Sequence, residues 1–339
     1  MNFLEVALNE FLDFFRLGGL YGILMSGNYS SLRSIDGILA VLAPLAPVVF
    51  FGEMLFVLVL SKGKIKEYKV TLLIILTNRI LSHLLGFSVI MFCYGAFSRF
   101  AIVHASMTWY WFIFCYLFYE LGTFVYHYTA HNIRLLWCFH SIHHSPEDLN
   151  AVVTLRTFYL ENLYTEFVRT TIMVLSGAPL MMYFLIMIID SIWGAFVHVS
   201  EKVMKNGRLG ILNKLVLTPS HHRVHHARNP LYLDTNYSSM LNIWDHIFRT
   251  YQEEDKQVPV EYGITREYDS NNFWDVYFGE IILLWKDVKS ADGLITKLKY
   301  IFMPPGWNPV HPQDTAKYLR TEFIRQQKED AAVANSLNK

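Results

Sequence analysis

Long apolar runs separated by short polar stretches dominate the first two thirds of the chain. A helix needs about 20 predominantly apolar residues to cross a bilayer. Residues 38–60, 70–97 and 107–126 each provide a run of about that length, and Pro44 and Pro47 predict a kink in the first. The pattern predicts an all-α protein built as a multi-pass transmembrane helical bundle.

A further apolar region covers residues 162–199. It is interrupted by Gly177, Ala178 and Pro179, a combination typical of a break between two helices. We therefore expect this region to enter the membrane and return as a helical hairpin, so that both of its ends lie on the same side.

The remaining segments are less apolar. Residues 1–16 and 273–285 carry helical apolar stripes and predict interfacial helices. Residues 18–34 are rich in glycine and serine and predict a connector, and the polar tail, residues 322–339, is expected to fray.

We divide the chain into three parts on this basis. Residues 1–106 hold the N-terminal interfacial helix and the first two spans, residues 107–250 hold a catalytic core with the hairpin, and residues 251–339 form a C-terminal cytosolic or interfacial segment.

Composition agrees with a membrane protein. Of the 339 residues, 53% are hydrophobic and only 17% are charged, which is too apolar for an ordinary soluble domain. The formal net charge is zero, so the sequence gives no electrostatic reason to expect a nucleic-acid partner. The three cysteines form no CxxC pair and are interpreted as buried thiols.

The distribution of basic residues predicts the orientation. Cytoplasmic loops are enriched in lysine and arginine. Residues 61–69 contain four lysines, whereas residues 98–106 contain only Arg99. The lysine loop should therefore be cytosolic, and so should the end of the third span at His127.

Histidines provide the candidate chemistry. Neutral imidazole is a good ligand for iron and zinc, and residues three or four apart on a helix lie on a shared face. Three boxes have this spacing, HxxxH, HxxHH and HxxHH, and each is expected to converge on one point. Eight imidazoles exceed the four ligands of one tetrahedral zinc, so the count favours two metals with open positions. The eight are His127, His131, His140, His143, His144, His222, His225 and His226.

The motifs around these histidines carry a family resemblance. The runs HYTAH, HSIHHSPEDLN and TPSHHRVHH, then LDTNYSSMLNIWDHIFRTY and FMPPGWNP, resemble the fatty acid hydroxylase and sterol desaturase superfamily of membrane di-iron oxygenases, and most of all its alkylglycerol monooxygenase-like members. The resemblance covers roughly residues 116–309. One departure is Asn132, where that group usually has an acidic residue.

This resemblance implies a membrane-bound enzyme that uses O2 and two iron ions to hydroxylate a C–H bond of a lipid, either an ether lipid, a fatty acyl chain or a sterol-like molecule. It implies tetrahydrobiopterin or another external electron donor. The sequence contains no Rossmann fingerprint or haem-attachment motif, so the electrons should come from a separate partner. The expected location is the endoplasmic reticulum or a bacterial inner membrane, with the active site on the cytosolic side.

Further residues have open alternatives. His198 ends an apolar helix, either as a ninth ligand, as in this superfamily, or as a core histidine stabilised by the helix C-terminus. Glu120 and Asp190 are candidates to support ligand imidazoles or to pair with arginines. Asn236, by resemblance, orients a ligand or metal-bound water, or else it only forms a turn. His221 and His246 are not expected to bind metal.

Two other classes of function fit the sequence less well. A histidine-rich membrane metal-binding or transport protein would place its ligands along a path inside the spans, whereas these lie at the span ends. A zinc hydrolase would need a general base such as the glutamate of HExxH, and no box contains one.

Overall fold

A computed structural model describes residues 17–42, 44–60 and 65–337, together with positions 9 and 12. In these residues the regular structure is helical, apart from two isolated β-bridges, Val216 with Leu241 and Ala227 with Tyr262. The predicted all-α class is confirmed for this part of the chain. Apart from positions 9 and 12, the predicted helix at residues 1–16 lies outside the described residues, as does the first part of the lysine loop, residues 61–64.

Thirteen α-helices follow one another in the described ranges. They are α1 (Gly18–Ser26), α2 (Ile35–Leu42), α3 (Leu45–Leu60), α4 (Ile65–Phe97), α5 (Trp109–Asn132), α6 (Arg134–His144), α7 (Tyr159–Leu175), α8 (Leu180–Val197), α9 (Pro219–His225), α10 (Ile243–Phe248), α11 (Phe273–Ser290), α12 (Leu294–Phe302) and α13 (Ala316–Leu337). Short 3₁₀ turns cover Tyr29–Arg33, Ser98–Phe100, Ala151–Leu155 and Gly210–Lys214.

The apolar runs of the sequence correspond to helices. The first run is divided between α2 and α3, with Pro44 in a turn between them. Proline cannot donate the backbone hydrogen bond that a continuous helix requires, which accounts for the break. The second and third runs form α4, which is 33 residues long, and α5. By length and composition, α8 is the one helix of the described ranges that qualifies as a candidate membrane span, with a mean hydropathy of 2.0.

Two expectations about the termini were wrong. Residues 18–34 are not a plain connector, because the apolar segment GGLYGILMS forms α1. The C-terminal tail is also helical, since α13 extends from Ala316 to Leu337.

The core lies where α5 packs between α7 and α8. Tyr119, Met173, Tyr183 and Ile186 from these three helices are each less than 1% exposed. Gly122 allows the close contact between α5 and α7, because a Cβ at this position would lie 3.0 Å from the Cα of Arg169. The side of α5 that faces this core continues into the first histidine box.

The α7–α8 hairpin turns at Gly177, whose φ of 78° is unfavourable for residues with a side chain. A Cβ there would also lie 1.8 Å from the carbonyl oxygen of Val103. The chain therefore reverses tightly, and α8 ends at His198, close to the third box. The reversal expected from the sequence is present: α7 and α8 lie on either side of α5, and Glu161 near the start of α7 and Val197 at the end of α8 line one cavity.

Candidate metal centre

Nine histidines form two adjacent clusters. Within each cluster, the nitrogens that could bind metal all lie within 4.8 Å of one another. The first cluster consists of His127, His131, His140, His144 and His225. The second cluster consists of His143, His198, His222 and His226. Eight of these nine side chains are less than a tenth exposed. The structure thus brings together the eight box histidines and His198.

The boxes do not each form one site, contrary to the expectation from spacing. Histidines four apart stay in the same cluster, as His140 and His144 do, whereas His143 belongs to the other cluster. His225 similarly leaves His222 and His226 and joins the first cluster. Each residue turns an α-helix by about 100°, so positions three and four after a histidine point about 100° apart. Each HxxHH box therefore contributes to both clusters.

Local structure holds the third box in place. Helix α9 begins with Thr218 as its N-cap and Pro219 in its first turn, both favourable at a helix start. His221 completes the cap, because its Nδ1 accepts a hydrogen bond from the backbone N–H of Thr218 at 3.2 Å. Its Nε2 lies 2.8 Å from the hydroxyl of Tyr251. His221 is therefore engaged away from both clusters, and so is His246, whose ring packs on Tyr251.

The second ring nitrogens of several cluster histidines have fixed acceptors. Nδ1 of His127, His198 and His225 lies 2.8, 2.6 and 2.8 Å from the backbone carbonyls of Tyr237, Gly194 and Thr235, respectively. A carbonyl oxygen can only accept, so each Nδ1 carries the proton and donates it. In a neutral imidazole, Nε2 then has a free lone pair that points into the cluster.

Two carboxylates also lie within hydrogen-bond distance of Nδ1 of a cluster histidine. Nδ1 of His140 lies 2.5 Å from Oε1 of Glu161, and Nδ1 of His131 lies 3.2 Å from Oδ1 of Asp234. Hydrogen bonds of this kind orient imidazoles at metal sites and make them stronger ligands. Burial raises the pKa of the Asp234 carboxyl to about 7, and a cation nearby would favour its ionised form.

Burial also keeps the imidazoles neutral. It lowers the pKa of His198 to about 4 and that of His225 to about 3, because desolvation disfavours the charged ring. Burial and the neighbouring His143 and His222 lower the pKa of His226 well below its ordinary value. Neutral imidazole is the form that binds metal.

Some neutral imidazole rings of the first cluster lie close together although no hydrogen bond joins them. The ring centroids of His127 and His225 lie 4.3 Å apart, although both rings carry their proton on Nδ1 and so leave a lone pair on Nε2. Nε2 of His225 is buried without a hydrogen-bond partner. Converging lone pairs repel unless a cation lies between them. The donor set therefore fits a transition metal in each cluster.

Three residues proposed to support the ligands make other contacts. Glu120 accepts backbone hydrogen bonds from Ser239, Met240 and Leu241 at 2.9–3.2 Å, and so anchors the loop before α10 to α5. Asp190 accepts from Tyr119 at 3.0 Å, binds the hydroxyl of Ser239 and lies 3.5 Å from Arg169.

Asn236 has a backbone role. Its φ is 57°, and its side-chain amide donates to the carbonyls of His221 and Gln252 at 3.0 and 2.8 Å. These contacts correspond to the turn-forming alternative. The three residues thus hold the loop between the third box and α10 and are not hydrogen-bonded to a cluster imidazole.

Sequence reasoning missed Glu161 and Asp234. They lie 21 and 103 positions from the histidines that they contact. Glu161 had one local signal, an acidic residue in the first turn of a helix that follows the second box.

A cavity of about 640 Å³ adjoins the clusters. His127 and His140 of the first cluster and His143, His198 and His222 of the second cluster all contribute to its wall. Helices α4, α5, α7 and α8 supply most of the rest, together with the end of the 3₁₀ turn Ala151–Leu155 and the loop at Ser238. Both clusters therefore face one space that is large enough for part of a substrate.

The cluster histidines lie in a stretch of the chain that matches a known protein family. Residues 112–250 match the fatty acid hydroxylase family model. This stretch includes all nine cluster histidines as well as Glu161 and Asp234. Over this stretch the chain is similar to fatty acid hydroxylases, and the resemblance seen in its motifs is confirmed.

Similar proteins include alkylglycerol monooxygenase of Homo sapiens, 33% identical over 205 residues, and that of Caenorhabditis elegans, 32% identical over 224 residues. Each match covers 60% of this chain but only 44% and 41% of the relative. Ornithine lipid hydroxylase OlsE of Rhizobium tropici is 30% identical over 146 residues, which is 43% of either chain. The chain thus spans less than half the length of these relatives. No solved structure matches it significantly.

Proposed function

We propose that this protein is a membrane-bound di-iron oxygenase that hydroxylates a C–H bond of a lipid with O2 and electrons from an external donor. The observation that carries the proposal is the pair of buried clusters of neutral imidazoles facing one cavity. The relatives support it, since their names describe a monooxygenase of alkylglycerols and a hydroxylase of ornithine lipid.

The clusters would each hold one metal. Five imidazoles of the first cluster and four of the second surround the two positions. Iron bound by histidines with open positions supplies oxygen activation. A tetrahydropterin or another external reductant would provide the electrons.

The protein's own groups prepare this site. Glu161 and Asp234 hold the rings of His140 and His131, and the carbonyls of Tyr237, Gly194 and Thr235 hold three more. Because every one of these partners fixes a proton on Nδ1, the lone pairs on Nε2 stay directed at the metal positions. The cavity would hold the reacting carbon beside both clusters and limit its exposure to water.

A lipid substrate requires access from a membrane, and we propose a multi-pass arrangement with the clusters on the cytosolic side. Several large apolar side chains on α4 and α5 are exposed, among them Leu76 at 64%, Phe92 at 60% and Trp109 at 75%. Exposed apolar surface of this extent is unfavourable in water. In this arrangement it would contact lipid.

Thiol labelling tests the orientation. Single cysteines replacing Lys69, Arg228 or Arg99 can be treated with an impermeant reagent in sealed vesicles of known orientation. All three positions are exposed, while the natural cysteines Cys93, Cys115 and Cys138 are buried and should give little background. We expect Lys69→Cys and Arg228→Cys to react from the cytosolic side and Arg99→Cys from the other. Labelling of positions 69 and 228 from opposite sides would contradict the arrangement.

Isotope incorporation tests the reaction. Membranes containing the protein, a long-chain alkylglycerol or fatty acyl lipid and a tetrahydropterin should convert ¹⁸O₂ into a labelled lipid hydroxyl or its aldehyde product, detected by mass spectrometry. Membranes without the protein and reactions with H₂¹⁸O are the controls. If metal-loaded protein incorporates no label from ¹⁸O₂ with any lipid and donor, a metal-binding protein without oxygenase activity becomes the better interpretation.

A further inference from the structure

The wall of the cavity beside the clusters combines many polar side chains with apolar surface. Ile75, Leu155 and Val197 are its aliphatic side chains, whereas hydroxyl, amide and charged groups make up most of the rest. A pocket shaped for a hydrocarbon chain is lined mainly by apolar side chains. Polar atoms facing a pocket need hydrogen-bond partners, from water or from a ligand. The space next to the histidines is thus suited to the polar end of a lipid.

Most polar groups in this wall already have protein partners. The amide of Asn78 bonds with Thr157 and Tyr277. The hydroxyl of Ser191 donates to the carbonyl of Met187 at 2.7 Å. The charge of Arg169 is offset by Glu166 at 2.5 Å and by Asp190 at 3.5 Å. Because these groups already have protein partners, they are less available to bind a ligand.

The hydroxyls of Ser238 and Thr123 are exceptions, since both are buried without a hydrogen-bond partner in residues that line the cavity. Thr123 is the one that lies on a helix carrying a histidine box. It lies in α5, lines the cavity and is only 8% exposed, yet its Oγ1 has no hydrogen-bond partner in the protein. A buried threonine in a helix usually donates to a carbonyl one turn earlier. Thr129 in the same helix does so, with Oγ1 2.7 Å from the carbonyl of Val125. The Thr123 hydroxyl thus keeps its donor and acceptor unused, in a residue that lines the cavity.

Thr123 lies close to the first histidine box along α5. Thr123 precedes His127 by four residues, so it lies on the same face of α5, about 6 Å along the helix axis. A substrate oxygen bound by Thr123 would place the next one or two carbons of the lipid within reach of the clusters. The bound oxygen would thereby select which carbon is attacked.

We propose that Thr123 is a substrate-positioning residue that binds a hydroxyl group in the polar end of the lipid. This inference rests on the proposed function for its substrate and adds a residue that decides selectivity. It favours a lipid with free hydroxyl groups near the reacting carbon over the same lipid without them.

Binding to metal-loaded protein in the absence of a reductant gives the first test, because it does not depend on oxygenase activity. The probes are a long-chain 1-O-alkylglycerol and its di-O-methyl ether, and their dissociation constants are measured in detergent by calorimetry. Thr123→Val preserves shape but removes the hydroxyl. We expect it to weaken binding of the alkylglycerol roughly 3- to 10-fold, the size of one neutral hydrogen bond, and to leave binding of the ether unchanged.

Matched variants complete the design. Thr123→Ser should restore binding of the alkylglycerol, and Thr129→Val, which removes a hydroxyl already bonded within α5, should not alter the preference between the two lipids. In active enzyme, Thr123→Val should raise KM for the alkylglycerol more than it lowers kcat, and it should broaden the set of oxidised positions.

The outcomes separate this inference from the proposed function. If Thr123→Val binds both lipids as the parent protein does, or weakens both equally, the positioning role is wrong even where hydroxylation occurs. If the alkylglycerol binds through Thr123 but no lipid is ever oxidised, the positioning role holds and the oxygenase proposal fails. If neither lipid binds to the parent protein, the cavity holds water and the inference is wrong.

Discussion

Replacement of a box histidine by alanine is expected to reduce turnover at least about 100-fold and to lower the metal content. Changes in residues that merely support a metal ligand cost about 10- to 100-fold in affinity or activity, so the loss of a ligand itself should cost more. The prediction applies to each of His127, His131, His140, His143, His144, His222, His225 and His226, all of which lie in one of the two clusters. Turnover, metal content and expression level are measured for each variant.

His221 and His246 provide the controls for this series. His221 is as buried as the cluster histidines, at 1% exposure, but it caps α9 and contacts Tyr251. His221→Ala should lower stability by about 1–3 kcal/mol, the cost of leaving buried partners unpaired, while the metal content is retained. His246→Ala, at an exposed position, should change little. If the box variants behave like these two, the assignment of the clusters as metal sites is wrong.

His198 gives the most informative single result in the series. The structure places its Nε2 2.8 Å from that of His222 and 3.2 Å from that of His143, while its Nδ1 donates to Gly194. We therefore expect His198→Ala to lose metal and turnover like a box variant. A variant that keeps its metal and loses only about 0.3–2 kcal/mol of stability would instead identify His198 as a helix-end residue.

Much of the helical architecture could be predicted from the sequence, because runs of apolar residues and breakers determine helices locally. The hairpin at Gly177 and the end of α8 at His198 are examples. The prolines predict a kink in the first apolar run, because proline lacks a backbone hydrogen-bond donor. The structure has a complete break between α2 and α3, because the size of a proline's effect depends on the surrounding packing. Helix α1 was missed because glycine and serine obscured its apolar residues.

The candidate site was only partly predictable. Spacing identifies histidines four apart as partners, and the pairs His127 with His131 and His222 with His226 lie together as expected. The exchange of His143 and His225 between clusters depends on how α5, α6 and α9 meet, which spacing within one helix does not contain. The contacts of Glu161 and Asp234 likewise arise from tertiary packing.

The expectation of two bound metals rests on how the histidines are grouped. One tetrahedral ion uses four ligands, whereas nine imidazole nitrogens here divide into two groups of five and four. A single metal would leave one group of neutral, buried lone pairs facing one another without a cation. Two metals satisfy both groups, so we expect two ions to bind per chain and their removal to destabilise the protein.

The number of metal ions per chain can be measured by elemental analysis. The purified protein is first freed of any affinity tag and reconstituted with iron under reducing conditions. We expect about two metal ions per chain, iron in the active form or zinc where zinc has replaced it during purification, and His221→Ala should give the same value. One ion or none per chain in folded protein would contradict a dinuclear centre.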